Sequence, residues 1–380
     1  MNVLHVATDP SLAAGLAAAQ ARAGMRPRLV VPLVSTGGLA RRLQPIAGLT
    51  VWEGTLAGGR VLVHHLDAPE AIVAEMAVEA ARATGFLPDV VHAHDLPAAA
   101  ALAAARPAAA VLTLHHPPAS GPLPSADLVS LPSARAARAF PGTVGVLGGV
   151  DTDAWNPAGD PYLPAHFSAA DLAGKQEVKT RLQRDAGLPV RPAIPVFAVV
   201  GVGTEEGTPL LVEAAHELSA IDAQWVILGR GERRFEDALG ALMRRHPNRL
   251  SFHADAEKAL IHRAYAGADF LVAPALANPG GTAAMIALRH GTLPLVNGAA
   301  GLDDVVVDYD PVSHTGSGFK LAERSAGALV AAVKRAIALH RDVKHHLRLA
   351  ARAMQLDFSW DAAARKWTEL YLRATSLLRS

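Results

Sequence analysis

The chain has 380 residues, of which 51% are hydrophobic and 19% charged, so it can bury a core and is longer than one ordinary domain. Its 36 basic residues nearly balance 35 acidic ones, and a net charge of +1 without a dense basic tract argues against a nucleic-acid partner. The sequence contains no Cys, which excludes disulfides, zinc–thiolate sites, iron–sulfur clusters and thiol nucleophiles.

Short aliphatic runs alternate with Ala-rich stretches in the first part of the chain. Buried strands are predicted at Val3–Ala7, Leu29–Val34, Val61–Leu66, Val90–Ala93 and Val111–Leu114. Helices are predicted to begin at Ser11 and at Pro69, and to end near Gly24 and Gly85. This alternation predicts a parallel, doubly wound α/β sheet.

The N-terminal segment contains Asp9 and Pro10 and has no cationic lead-in, so it is not expected to be a signal peptide. The most apolar stretch, Ala98–Leu114, is interrupted by Arg106 and Pro107 and is too short to span a bilayer. These features predict a soluble, cytoplasmic protein without a membrane partner.

A second α/β series follows an irregular stretch, Asp151–His166, which predicts a connection between domains. Ser168 and Asp171 predict a capping box that opens a helix, and Lys175 and Lys179 on this helix are expected to be surface charges. Further strands are predicted at Val196–Val200, Trp225–Leu228, Leu250–Phe252, Phe270–Ala273 and Leu293–Val296. The sequence therefore predicts two Rossmann-like, doubly wound domains that face a cleft.

Histidine and aspartate side chains follow two neighbouring predicted strands. The first strand ends in the letters VHAHD at residues 91–95, and the next ends in TLHH at residues 113–116. Imidazoles with a carboxylate are ligands for transition metals, so a metal site is one interpretation. Hydrogen-bonded loop residues are a second. A third is that Asp95 and His115 orient the hydroxyl groups of a sugar.

Glycine-rich turns follow two strands of the second series. They read GRGE at residues 229–232 and NPGGT at residues 278–282. Glycine lets a ligand approach backbone amides closely, which suits a phosphate group at a helix N-terminus. Ordinary strand-to-helix turns have the same composition, so both interpretations stay open.

Several segments after residue 88 resemble motifs of bacterial glycogen synthases and plant starch synthases. In the order of that family they are VHAHD at 91–95, GVDTDAWNP at 149–157, ADF at 268–270, GLDDVVVD at 301–308, GSGF at 316–319 and DFSWD at 357–361. The resemblance implies the two-domain GT-B glycosyltransferase fold and transfer of glucose from ADP-glucose to an α-1,4-glucan. It implies an acceptor-side domain of residues 1–148, on which a C-terminal helix at 359–377 packs, and a nucleotide-sugar domain of residues 149–358.

The resemblance also implies roles for individual residues. Asp95 and His115 match the aspartate and histidine that hold the donor glucose, and Asn278 stands where the family has a glutamate near the reacting sugar, so these three are the implied catalytic residues. The implied nucleotide-sugar-binding residues are Gly201, Gly203, Gly229, Arg230, Gly231, Gly280, Gly281 and Thr282. The implied partners are ADP-glucose or a related nucleotide-sugar and an α-glucan, and neither a metal nor another cofactor is implied.

The chain departs from the family pattern on the donor side. Val202 stands in place of an arginine, Glu206 in place of a lysine that is replaced or deleted, and Asn278 in place of the glutamate; Thr8-Asp9-Pro10 replaces an early K-T-G-G-L loop. The chain is also shorter than the family between residues 116 and 149. Without a metal, cations must stabilise the departing diphosphate. A cation about 4 Å away contributes on the order of 4 kcal/mol at an effective dielectric near 20, which corresponds to about a thousandfold in rate.

Three functions follow from these observations. The first is an ADP-glucose-dependent glucan synthase whose donor site is rebuilt, with Arg230 reaching the diphosphate while Arg233 and Arg234 are solvated residues at a helix start. The second is a catalytically inactive relative that binds a nucleotide-sugar, a glucan or a partner protein. The third is a metal-dependent hydrolase that uses His92, His94, Asp95 and His115.

Overall fold

The computed structural model describes residues 1–34, 41–46, 48–118, 121–203, 207–275, 281–298 and 302–378, with only the backbone of Leu12 and Asp303. The chain divides into two compact units. Unit 1 comprises Met1–Asp151 and Phe358–Ser380, and unit 2 comprises Thr152–Asp357.

The described residues of unit 1 form a nine-stranded sheet. Its strands are β1 Asn2–Ala7, β2 Arg26–Pro32, β3 Arg41–Arg42, β4 Val51–Leu56, β5 Val61–Leu66, β6 Val90–His94, β7 Ala109–Thr113, β8 Leu128–Leu131 and β9 Val144–Gly145. They lie in the order β3-β4-β5-β2-β1-β6-β7-β8-β9, and all pairs are parallel except the two made by β4. The strand order reverses between β1 and β6, and in open α/β sheets ligands bind at the carboxyl ends of strands at such a point.

Helices of unit 1 pack small side chains against this sheet. They are α1 Ser11–Arg22, α2 Glu70–Ala83, α3 Asp95–Ala98 and α4 Ala134–Arg138, with a 3-10 helix at Ala99–Ala104. In α2, Val73, Ala77 and Ala81 lie one turn apart and are fully or almost fully buried, which is the spacing of one helix face. Alanine also has the highest intrinsic helix propensity, so the Ala-rich segments form helices as predicted.

The described residues of unit 2 form a six-stranded sheet. Its strands are β10 Val196–Val200, β11 Gln224–Leu228, β12 Leu250–His253, β13 Phe270–Ala273, β14 Leu293–Asn297 and β15 Phe319–Leu321. All pairs are parallel, in the order β12-β11-β10-β13-β14-β15. This is the Rossmann order, and its reversal between β10 and β13 marks the carboxyl ends of these two strands as the ligand-binding edge.

Seven described helices flank the sheet of unit 2. They are α5 Ala173–Asp185, α6 Thr208–Ala220, α7 Arg233–Arg245, α8 Lys258–Gly267, α9 Thr282–Arg289, α10 Ala326–Arg341 and α11 Val343–Ala353, with a 3-10 helix at Leu302–Asp304. Helix α5 begins at Ala173, later than the capping box predicted at Ser168. Asp171 Oδ1 instead accepts a hydrogen bond from the backbone N–H of Ala173, which makes a turn ahead of the helix.

The last helix, α12 at Trp360–Leu377, belongs to unit 1. It buries Trp367, Tyr371 and Ala374 in a cluster with residues of β1, β6 and β7. Two glycines leave room for its first residue: a Cβ on Gly15 would lie 2.2 Å from Trp360 Nε1, and one on Gly149 would lie 2.5 Å from Trp360 Cα. Close packing of Trp360 against these two glycines therefore fixes the start of the helix that the sequence predicted here.

The expected α/β class with two Rossmann-like, doubly wound sheets is confirmed, and every strand predicted from an apolar run is present. The expectation that Lys175 and Lys179 are surface charges is wrong, because both side chains are buried. Lys175 Nζ donates to the carbonyl oxygens of Ala266 and His290 and to Thr292 Oγ1, and Lys179 Nζ lies 2.7 Å from Asp269 Oδ2. Among the described helices, none combines the length and the apolar character that crossing a membrane requires.

Candidate functional site

Asp95 follows β6 directly, at the switch point of unit 1. Its φ of 63° lies in the left-handed region, which few residues other than glycine adopt. Its Oδ1 accepts hydrogen bonds from the backbone N–H groups of His115 at 2.6 Å and His116 at 3.1 Å, and its Oδ2 lies 3.2 Å from His116 Nδ1. The structure thus brings the predicted Asp95 and His115 together, and the carboxylate fixes the backbone that follows β7.

Behind this pair lies a set of hydrogen-bonded side chains that we call the histidine network: His5, Gln20, His92, His94, His115 and Tyr371. His94 joins His115 through Nδ1 and Nε2 at 3.1 Å, and joins His5 through Nε2 and Nδ1 at 3.0 Å. Gln20 bonds His5 at 2.8 Å and Tyr371 at 3.1 Å. Tyr371 continues to His92 at 2.7 Å, so the network reaches from the site to α12.

The histidines of this network are neutral near pH 7. Burial lowers the pKa of His5 to about 4, against a smaller upward effect of the bond to Gln20. Burial, reinforced by neighbouring histidines, holds the pKa of His92 and His94 well below the usual value. Burial also lowers the pKa of His115, which Asp95 raises and His116 lowers to smaller extents. Each neutral imidazole therefore has one donor and one acceptor nitrogen.

The metal interpretation can be tested against these contacts. His5, His92 and His94 each offer a ligand atom within 4.8 Å of the others. All six of their ring nitrogens, however, already take part in hydrogen bonds, those of His92 with Tyr371 and with Thr113 at 2.6 Å. A metal ion would have to break these bonds, so the donor set fits a hydrogen-bonded network better than a metal site.

A second group, Asp269, His340 and His346 in unit 2, also offers ligand atoms within 4.8 Å of one another. Here the Lys179 ammonium group already lies against the carboxylate of Asp269 at 2.7 Å. Burial by itself raises the pKa of Asp269, but Lys179, with His340 and His346, lowers it below its usual value. A buried ammonium group therefore neutralises this carboxylate, and a divalent cation beside it would be repelled.

Glycines hold the loops after β10 and β11 against each other in unit 2. Gly201 and Gly229 have φ values of 102° and 124°, and a Cβ on Gly229 would lie 3.3 Å from Gly201 Cα. A Cβ on Gly231 would lie 2.2 Å from the carbonyl oxygen of Val202, a distance at which the backbone must shift. Three of the predicted nucleotide-sugar-binding glycines thus form one closely packed edge at the carboxyl ends of β10 and β11.

Helices α6 and α9 begin at the same edge of the sheet, after β10 and β13. The residue before α6, Gly207, has a φ of 84°, and Thr208 Oγ1 accepts a hydrogen bond from the Gly203 N–H at 2.9 Å. The residue before α9, Gly281, has a φ of 64°, and Thr282 is the first residue of the helix. Two helix N-termini with glycine at the N-cap therefore stand at the switch point of unit 2, where backbone N–H groups favour an anion.

The arginines near this edge are ion-paired within the chain. Arg230 contacts Asp255 through Nη2 and Oδ2 at 2.8 Å, Arg233 lies 3.8 Å from Asp237, and Arg234 lies 2.7 Å from Glu232. All three arginine side chains are mostly exposed, which for Arg233 and Arg234 agrees with solvated residues at the start of α7. Val202, for which the sequence resemblance implies an arginine in the family, is buried, and its Cγ1 lies near Gly231.

Asn278, Gly280 and Glu206 lie outside the described residues. His5, Gln20 and Tyr371 were not predicted from the sequence to belong to the site. His5 could have been found from strand register, because it pairs with His92 when β1 lies beside β6. Gln20 and Tyr371 lie on helices with apolar faces, where a single polar residue gives no signal without the packing of α1 on α12.

Known proteins resemble this chain in sequence and in fold. The family described as glycosyl transferases group 1 matches residues 187–354. A glycogen synthase of Anaeromyxobacter sp. (strain Fw109-5) is 42% identical over 228 residues, 60% of this chain and 48% of that protein. Glycogen synthase 1 of Geobacter metallireducens is 40% identical over 232 residues, 60% of this chain and 46% of that protein. The matched part of the chain spans about half the length of these relatives.

The fold also matches that of a solved structure, the catalytic domain of starch synthase IV from Arabidopsis thaliana bound to ADP and acarbose. The TM-score is 0.84, the sequences are 22% identical, and 99% of each chain is covered. This likeness shows the GT-B fold. This fold, the identity to glycogen synthases over 60% of the chain and the matched glycosyltransferase segment together support a GT-B protein of the glycogen and starch synthase family.

Proposed function

We propose that this protein is a glucosyltransferase of the glycogen synthase type, which transfers glucose from ADP-glucose to an α-1,4-glucan. The observation that carries the proposal is the carboxyl edge of the unit 2 sheet, where Gly207 and Gly281 precede the N-termini of α6 and α9. Backbone N–H groups and helix dipoles at such an edge favour the phosphates of a nucleotide. The starch synthase structure of the same fold has ADP bound, which supports an adenine nucleotide.

In this proposal Asp95 and His115 hold the donor glucose. Asp95 is held by two backbone N–H groups and keeps Oδ2 toward His116, so its position does not depend on a ligand. His115 is neutral and partly buried, which suits hydrogen bonding to hydroxyl groups. Unit 1, Met1–Asp151 with Phe358–Ser380, is proposed as the acceptor side, and unit 2, Thr152–Asp357, as the nucleotide-sugar side. These bounds lie within three residues of the domains implied by the resemblance.

Leaving-group stabilisation is the step for which this chain differs from its family. Transfer expels a diphosphate, and preorganised donors or cations must stabilise the charge that develops on it. The loops of Gly201, Gly229 and Gly231, which we call the glycine edge, supply backbone N–H groups. Among the described residues of the turn after β11, Arg230 supplies a positive charge. Arg230 is paired with Asp255, and both side chains are exposed, so a diphosphate can replace the carboxylate at little cost.

The test is transfer of label from radiolabelled ADP-glucose to glycogen. Under the proposal the parent protein turns over, Arg230→Ala loses most of this activity, and Asp255→Asn, which frees the guanidinium, lowers the KM for ADP-glucose. Absence of turnover in the parent would contradict an active synthase. Arg230→Ala with unchanged activity would remove Arg230 from the donor site.

A second candidate function is a catalytically inactive relative that binds a nucleotide-sugar, a glucan or a partner protein. The buried Val202 favours it, because no guanidinium can act from that position. This candidate predicts that ADP-glucose or glycogen stabilises the protein without turnover, by about 2.7 kcal/mol at a ligand concentration of 100 times Kd.

Restoring the family charges separates the two candidates. The double variant Val202→Arg with Glu206→Lys should gain transfer activity if decay of the site has silenced the enzyme. A matched control, Val202→Arg with Glu205→Lys, has the same net charge with the lysine one position away. Equal activity in both double variants would show that charge alone, and not the family position, is responsible.

A further inference from the structure

Gln20 occupies the centre of the histidine network and is fully buried. Its Nε2 donates to the hydroxyl oxygen of Tyr371, and its Oε1 lies 2.8 Å from Nε2 of His5. An amide oxygen carries no proton, so His5 must donate this hydrogen bond from Nε2. A neutral His5 then has an unprotonated Nδ1.

The same rule determines the protons further along the network. His94 Nε2 lies 3.0 Å from the unprotonated Nδ1 of His5, so His94 must donate from Nε2 and accept at Nδ1. His115 Nε2 lies 3.1 Å from Nδ1 of His94 and must therefore donate. His115 consequently carries its proton on Nε2, and its Nδ1 is the acceptor nitrogen.

The amide also orders the other side of the network. The Tyr371 hydroxyl oxygen accepts a hydrogen bond from the Gln20 amide N–H, and the hydroxyl proton is donated to His92 Nδ1. His92 then donates from Nε2 to Thr113 Oγ1 at 2.6 Å, and Thr113 is hydrogen-bonded to Ser130 at 2.8 Å. Reversing the amide would move the proton of every histidine to Nδ1, since any mixed arrangement makes two donors or two acceptors face each other.

We propose that Gln20 is a positioning residue that fixes the Nε2–H tautomer of His115 and so presents His115 Nδ1 as a hydrogen-bond acceptor for a hydroxyl group of the donor sugar. The proposal rests on the proposed function, which assigns His115 to the sugar. A hydroxyl group that donates to this nitrogen keeps its oxygen free to accept a second hydrogen bond. Gln20 itself acts through His5 and His94.

The first test is nitrogen NMR of the full chain labelled with 15N-histidine, in which long-range couplings distinguish the two neutral tautomers. Substitutions such as His115→Asn and His94→Asn assign the signals. The expected result near pH 7 is a proton on Nε2 of His5, His92, His94 and His115. A proton on Nδ1 of His115, or a charged His115, would overturn the proposal.

The second test compares Gln20→Met with Tyr371→Phe. Gln20→Met removes the amide at similar volume, and we expect His5, His92, His94 and His115 to become mixtures of both tautomers. Tyr371→Phe breaks the network on the other side of Gln20, so only His92 is expected to change. A pure Nε2–H signal of His115 in Gln20→Met would show that Gln20 does not set the tautomer. If Gln20→Met does not fold, a proton on Nδ1 of His115 in the parent spectrum would still contradict the proposal.

Kinetics supply the functional half of the test. Gln20→Met is expected to lower kcat/KM for ADP-glucose roughly tenfold, the value of one hydrogen bond to the sugar, and Tyr371→Phe to lower it less. Equal losses in the two variants would indicate a merely structural role. The spectra need no turnover, so a protein without transfer activity but with the expected tautomers would refute the proposed function and leave the role of Gln20 intact.

Discussion

The ammonium group of Lys179 lies 2.7 Å from Oδ2 of Asp269, and both side chains are buried at the amino-terminal end of the unit 2 sheet. The same carboxylate oxygen accepts a hydrogen bond from the backbone N–H of Val196, the first residue of β10. One ion pair therefore links α5 to the start of the two central strands. Such a pair contributes little if it is replaced as a whole, but loss of one partner leaves an uncompensated buried charge.

Lys179→Met is accordingly expected to lower the free energy of unfolding by about 3–5 kcal/mol. Urea denaturation of the parent and the variant measures this difference, with the exposed Lys334→Met on α10 as the control. The double variant Lys179→Met with Asp269→Asn should be less destabilised than the sum of the single variants, because neither charge is then left alone. Additive effects would contradict a coupled pair.

Lys175 and Lys179, which were expected on the surface, also show what the sequence could and could not predict. Apolar runs predicted the central strands of both sheets, because parallel strands buried on both faces need continuous aliphatic sequence. A lysine on a helix carries no such signal, since its burial depends on carbonyl groups and a carboxylate from other elements. Asp95 and His115 were predicted together because both follow adjacent strands. Strand β4, second from the edge of the unit 1 sheet, was missed because both of its neighbours are antiparallel to it and its polar–apolar alternation is weak.

Lys175 should make stability depend on pH in the alkaline range. Burial lowers its pKa to about 7, with Asp269 raising it and Lys179 lowering it further. An unfolded lysine has a pKa of about 10.4, so between these values the unfolded chain binds a proton that the folded chain has released. Stability therefore rises with pH in this window, by up to about 1.4 kcal/mol per pH unit from this group.

Lys175→Met removes this contribution. We expect the difference in free energy of unfolding, parent minus variant, to increase between pH 8 and pH 9 by about 1.4 kcal/mol. Urea titrations at both pH values measure it, and using the difference cancels the titration of other groups. Parallel pH profiles of parent and variant would contradict a lysine with a lowered pKa.

Asp95 should tolerate asparagine but not alanine. Asparagine keeps an oxygen for the N–H groups of His115 and His116 and adopts a left-handed backbone readily. Alanine leaves both groups without their acceptor at a φ of 63°, and we expect it to cost about 2–4 kcal/mol of stability, against less than about 1 kcal/mol for asparagine.

Activity gives the complementary measurement for Asp95. Under the proposed function, Asp95→Asn lowers kcat/KM for ADP-glucose by on the order of tenfold or more, since hydrogen bonds to a charged group contribute about 1.5–3 kcal/mol. Urea denaturation and transfer assays on the same preparations separate the two effects. An Asp95→Asn variant with full activity would assign the carboxylate to loop structure alone.

Gly231 provides a test of the glycine edge that does not depend on chemistry. A Cβ there would lie 2.2 Å from Val202 O, so Gly231→Ala must displace the loop after β10. We expect a loss of about 3 kcal/mol in the free energy of unfolding and loss of stabilisation by ADP-glucose.

Gly240→Ala is the matched control, because Gly240 lies within α7 and a Cβ there would meet only the end of the Arg244 side chain at 3.4 Å. Helix propensity should make this substitution stabilising by about 0.5–1 kcal/mol. Thermal unfolding of both variants with and without ADP-glucose distinguishes the cases. A stable Gly231→Ala protein that still binds the nucleotide-sugar would mean that the loops after β10 and β11 do not have to approach this closely for binding.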